Sequence, residues 1–116
     1  MTEKELNKTA RKYQKMLGLQ DWDVVVMLND FRDMDGNVGR VEWFIDHKRA
    51  VIEIADEKTL PPHLTFPYDQ EETIVHELLH LHSAPFDTFE KESHENNALE
   101  VMINKLSSVI VKLKRG

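Results

Sequence analysis

The stretch His76-Glu77-Leu78-Leu79-His80 decides how this chain folds, because it calls for a helix with one polar side. Asp69 can cap that helix, Glu72 three residues later can close a capping box, and Pro85 ends the element. Ile74, Val75, Leu78 and Leu79 recur at helical spacing and would bury one side, leaving His76 and His80 on a neighbouring face. Residues four apart leave a helix in nearly the same direction, so both imidazoles can reach one metal ion. Glu77, one step round, is placed to reach a water on that ion rather than the ion itself. Zinc held there would act as a Lewis acid and lower the pKa of its water, with the carboxylate taking the proton.

Two histidines hold zinc poorly, and catalytic zinc sites usually have three protein ligands with the fourth position open, so a further donor is required. Glu100 is the first choice. It falls in a segment, from about Thr88 to Lys114, in which Leu99, Met102, Ile103, Leu106, Val109, Ile110 and Leu113 mark a long amphipathic helix. Glu100, Asn104, Ser107 and Val111 form a second stripe along one flank of that apolar face. Packing of the two helices would carry Glu100 to the His pair and leave Asn104 one turn on, where it can hydrogen-bond a ligand histidine and fix its tautomer. Glu95, nearly in line with the apolar stripe, is the main rival as ligand. His82 is turned away from the pair by its spacing, and His94 falls where the helix is only starting. Glu90 and Glu92 read as solvated acids of the first turn.

On these residues the chain resembles the gluzincin metallopeptidases of the thermolysin type, in which an HExxH helix is followed by a second helix carrying a glutamate ligand. His76, Glu77, His80 and Glu100 match that pattern. One turn after the ligand that family has an Asp, whereas this chain has Asn104, which accepts a hydrogen bond from imidazole without the charge that raises ligand basicity. In length and order of elements the chain is similar to the minigluzincins and to small metallopeptidases of bacterial and prophage genomes. The resemblance implies a single zincin-like α+β domain over residues 1–116, with an N-terminal helix, about three strands, the HExxH helix and a C-terminal helix bearing the glutamate. It implies zinc as cofactor, His76, His80 and Glu100 as ligands, and Glu77 as general base for peptide-bond hydrolysis. A peptide or protein substrate would lie extended along an edge strand preceding the active helix, for which Ala50 to Ala55 is the candidate. Larger relatives stabilise the oxyanion with a His or Tyr from a further domain; here Tyr68, His82 and His94 are the nearby candidates. The alternative class is a zinc-binding regulatory module, latent or without proteolysis of its own.

Composition is compatible with both classes. A chain of 116 residues that is 41% hydrophobic and 31% charged reads as one soluble domain with a single core. It has neither a long uncharged apolar run nor a charged-then-apolar leader, so the expectation is a cytoplasmic protein without membrane insertion. The absence of Cys rules out disulfides and thiolate zinc sites. A net charge of −6 speaks against nonspecific nucleic-acid binding, and Lys112, Lys114 and Arg115 read as cations favoured at a helix end.

Before the motif, Thr2 and Glu5 can cap a first helix that buries Leu6, Ala10, Tyr13 and Leu17 and ends at Gly18. Trp22 to Leu28 reads as a strand, apolar on both faces and so expected to be covered on both sides. Asn29 to Asn37 is a polar loop. Its Asp30, Asp33, Asp35 and Asn37 resemble part of a calcium loop but lack the terminal glutamate, and read as a solvated turn. Val38 to Ile45 and Ala50 to Ala55 read as strands joined by a turn through Asp46, His47, Lys48 and Arg49, with Ile52 and Ile54 facing the core and Glu53 the other way. The Pro-rich segment Asp56 to Asp69, with His63 as a loop residue, leads into the motif helix and is suited to form one wall of a groove.

Overall fold

In the computed structural model, which describes residues 1–64 and 67–116, two helices pack on a three-stranded mixed sheet and a third packs on one of them, an α+β arrangement. The elements run α1 (Glu3–Met16), β1 (Asp23–Asn29), β2 (Gly39–Phe44), β3 (Arg49–Ala55), α2 (Gln70–Ser83) and α3 (His94–Arg115). Local chemistry sets the helix starts. Thr2 Oγ1 accepts from the Glu5 amide at 3.2 Å while Glu5 Oε1 accepts from the Thr2 amide at 2.9 Å, the reciprocal box expected for α1. Asp69 Oδ1 likewise accepts from the Glu72 amide at 3.2 Å at the start of α2.

Sheet order is β1-β3-β2, with β1 parallel and β2 antiparallel to β3. The candidate substrate edge, Ala50 to Ala55, is therefore corrected: it is the central strand, with both sides of its backbone already paired. Its Ile52 and Ile54 are fully buried, together with Val26 of β1, Leu6 and Tyr13 of α1, and Ile74 and Leu78 of α2. Both α1 and α2 lie on this one face, so the expectation that β1 is covered on both sides also fails. Val25 and Met27 point outward and are 43% and 47% exposed. The free edge of β1 is nonetheless occupied at its centre. The Asn7 side chain on α1 accepts from the Val26 amide at 2.9 Å and donates to the Val26 carbonyl at 2.8 Å.

α3 starts later than the apolar periodicity indicates. Ser93 caps it by accepting from the Asn96 amide at 3.1 Å, and Glu92, at φ 67°, holds a left-handed conformation that no helix interior tolerates. Glu90 and Glu92 are thus loop acids ahead of the helix. Its buried line is Leu99, Ile103, Ser107 and Val111, whereas Met102, Leu106, Val109 and Leu113 stay exposed. The two stripes adjoin on the helix surface, and α3, held mainly by α2, covers only the one that also carries Glu100. Among the described residues no helix is long and apolar enough to cross a membrane.

The three helices are tied at one point. Arg115, at the end of α3, binds Asp69 Oδ2 at 2.9 Å and Glu71 Oε1 at 2.7 Å, and the Tyr13 hydroxyl donates to Glu71 Oε2 at 2.6 Å. Burial opposes ionisation of Asp69 and Glu71, yet the hydrogen bonds they receive outweigh it and hold both below their ordinary values of 3.8 and 4.5. Carboxylates depressed in the folded state contribute stability above their unfolded values, and that contribution is lost as pH falls through the folded ones. Arg115→Gln should therefore lower the thermal midpoint by a few degrees at pH 7, with the gap to wild type closing below pH of about 4, as read by thermal melts across pH.

Candidate metal centre

The centre is built where α2 crosses α3. Ile74, Val75, Leu78 and Leu81 anchor α2 in the core, which turns His76 and His80 out toward α3. Burial of Leu99 and Ile103 fixes the rotation of α3 and aims Glu100 at the two rings. His80 Nε2 lies 2.9 Å from Glu100 Oε1, His76 Nε2 lies 3.2 Å from Glu100 Oε2, and the two Nε2 atoms are 3.3 Å apart. These three residues form a donor group able to hold a metal ion. Nitrogen and oxygen donors at the usual distances around tetrahedral zinc would be about 3.3 Å from one another, a separation that the two imidazole nitrogens have, with a Glu100 oxygen beside each.

The electrostatics follow from this crowding. Hydrogen bonds from His76 and then His80 hold the Glu100 carboxyl far below the usual carboxylate range, although partial burial works against them. Burial resists protonation of His76, but the hydrogen bond to Glu100 and the nearby charges of Glu77 and Glu100 outweigh it and raise its pKa. Glu77 is not part of the donor group. Its carboxylate lies 3.9 Å from His76 Nε2, almost wholly buried, and burial pushes its pKa up against the opposing pull of His76 and His80.

The other sequence candidates are dispersed. Glu95 and His94 are exposed at the start of α3 and outside the donor group. His82 is turned to the opposite side, its Nε2 2.7 Å from the Leu17 carbonyl. Asn104 lines the cleft one turn beyond Glu100, near enough to His76 to favour its protonated form but without a closed hydrogen bond to either ring. Tyr68 stands in the cleft wall with its hydroxyl donating to the Ala55 carbonyl at 2.8 Å. Pro67 and Asp69 stand there too, so the end of the Pro-rich segment does form a wall; positions 65 and 66 lie outside the described residues. His47 and His63 are exposed loop residues. In the Asp-rich loop, Asp30 pairs with Arg32 at 2.6 Å and Asp35 with Arg40 at 3.7 Å.

A cleft of about 1030 Å³ opens over the three donors and Glu77, bounded on the far side by β2. Val38 O accepts from the Ala55 amide, and partners alternate along an antiparallel ladder, so Gly39, Val41 and Trp43 direct their backbone groups to the edge beside the cleft, which is unpaired among the described residues. Three contributors escaped the sequence reading. Trp43 stacks on the His80 ring at 6.5 Å and 21°; its alternation with Glu42 was the available signal. Gly39 lets β2 approach α2, and a glycine inside a strand is a mark of such closeness. Asp87, in the loop after α2, has Oδ2 3.9 Å from His80 Nδ1 and carries no periodic signal at all.

Compared with known proteins, the chain matches no family model, no curated protein and no solved structure.

A Cβ at position 39 would collide with Thr73 Cγ2 and stand 3.1 Å from Glu77 Oε2. Gly39→Ala should therefore cost about 1–3 kcal/mol in chemical denaturation. Adding Thr73→Ser, which removes that methyl and keeps the hydroxyl that donates to Asp69 O, should recover most of the loss.

Proposed function

We propose that the protein is a zinc-dependent peptidase of the gluzincin type, with His76, His80 and Glu100 as ligands and Glu77 as general base. The observation that carries this reading is the convergence of two imidazole nitrogens and both oxygens of the Glu100 carboxylate, with contacts of 2.9–3.3 Å, beside the separate buried carboxylate of Glu77. Two imidazoles and one carboxylate suit zinc better than the hard, oxygen-preferring cations. Zinc bound there would supply Lewis acidity and a water of lowered pKa.

The chain's own residues do the rest. The edge of β2 at Gly39 and Val41 offers unpaired backbone groups, so an extended peptide can add as a further strand and lie along the cleft. Its scissile amide then passes close to Glu77, which approaches Gly39 more closely than any bulkier residue there would permit. Glu77 Oε2 receives the proton of the attacking water and returns it to the departing amine nitrogen. A carboxyl whose pKa is raised by burial suits this exchange, because the shift makes it a stronger proton acceptor than an exposed carboxylate.

A second reading, a zinc-holding module without proteolysis of its own, is favoured by one observation. The residues available to stabilise an oxyanion are committed elsewhere: Tyr68 donates to Ala55 O, His82 contacts Leu17 O, and His94 stands outside the cleft.

Metal analysis of untagged protein should give one zinc per chain in wild type, Glu77→Gln and Glu95→Ala, and a loss of at least tenfold in zinc affinity in Glu100→Ala. Mass spectrometry of a mixed peptide library should show cleavage by wild type and none by Glu77→Gln. Zinc retention without any cleavage would select the second reading, and undiminished zinc in Glu100→Ala would dismiss the assigned centre.

A further inference from the structure

We propose that Asp87 is the positioning residue of His80, accepting its Nδ1–H so that Nε2 presents a lone pair to the metal; the proposal rests on the reading of the centre given above. His80 Nδ1 is buried and has no hydrogen-bond partner. Facing it at 3.9 Å is Asp87 Oδ2, and each of the two side chains is only 11% exposed. No hydrogen bond to the Asp87 carboxylate is formed among the described residues. A buried ring nitrogen without a partner thus faces a carboxylate oxygen that receives no hydrogen bond among the described residues, and once Nδ1 carries the ring proton the two are complementary.

The chain route accounts for the placement. α2 stops at Ser83, and the turn Ala84–Phe86, with Pro85 in its first positions, folds the backbone back so that the Asp87 amide donates to Ala84 O at 3.4 Å. This brings a residue seven positions later alongside the ring of His80. The Trp43 ring lies nearly parallel to it, at 21°, with 6.5 Å between the centroids. A relative movement of about 1 Å, in the loop or in the ring, closes the contact to hydrogen-bond length.

Chemistry gives the contact a direction. When Nε2 of a neutral imidazole binds a metal, the ring proton must reside on Nδ1, and a carboxylate there fixes both tautomer and orientation while raising ligand basicity. Asp87 approaches the Nδ1 side, away from the point where the three donors meet, and is not part of that donor group. A carboxylate therefore faces His80 Nδ1 from the loop after α2, whereas Asn104 reaches neither ring with a closed hydrogen bond.

The test measures zinc affinity by competition with a chromophoric chelator for wild type, Asp87→Ala and Asp87→Asn, with circular dichroism to establish that each is folded. Asp87→Ala should bind about 10- to 100-fold more weakly, and Asp87→Asn, which keeps an acceptor oxygen, should recover much of that loss. In zinc-loaded wild type, long-range proton–nitrogen correlation spectra should show a slowly exchanging His80 Nδ1–H, absent in Asp87→Ala, with the His76 signals unmoved. Folded Asp87→Ala with zinc affinity within twofold of wild type overturns the proposal. So does a His80 Nδ1 in zinc-loaded wild type with no protected proton, a result that needs no variant. Wild type that takes up no zinc overturns the centre itself and this proposal with it, and the wild-type arm alone distinguishes that failure.

Discussion

The molecule depends on the rotational setting of α3 against α2. Two imidazole nitrogens 3.3 Å apart share one carboxylate, each meeting a different oxygen of Glu100. Apolar burial of Leu99, Ile103 and Val111 brings these groups together. A slip of one residue would rotate Glu100 by about 100° and remove it from the rings altogether. Arg115 secures the setting from the far end, where it meets two acids in the first turn of α2. The centre is therefore a consequence of helix register, held by the core and by one terminal cation.

Glu77 shows a second balance. Burial drives its carboxyl toward the neutral form, while the neighbouring imidazoles drive it toward the charged form, and burial prevails. Its surroundings are made tight by β2, which comes close enough that Gly39 is the residue its position accepts. One approach of strand to helix thus fixes the position of the carboxylate and brings the unpaired strand edge beside it.

Much of this was legible from residue spacing. The pair at positions 76 and 80 and the caps at Thr2 and Asp69 express local periodicity and local hydrogen bonding, which a sequence carries directly. Glu100 could be placed because its stripe adjoins an apolar one. Which stripe faces inward could not be read, since Leu99 and Ile103 are chemically indistinguishable from Met102 and Leu106, and only the partner helix decides between them. Strand order was likewise hidden: β1 and β3 are both rich in Val and Ile, and pairing of β3 on two sides is a property of the assembled sheet. Asp87 was hidden for a related reason, as a turn containing Pro85 delivers it to a ring seven residues back without any repeating pattern.

The contact of Asn7 with Val26 reaches beyond the first helix. A carboxamide that both donates to and accepts from one strand residue imitates the backbone of a neighbouring strand, and it occupies the outer flank of β1 where a foreign chain would otherwise dock. Strand addition is thereby hindered at the middle of β1, whereas the β2 flank borders the cleft. Any strand added at that second flank, from another copy or from a separate chain, would have to meet the same row of amides and carbonyls.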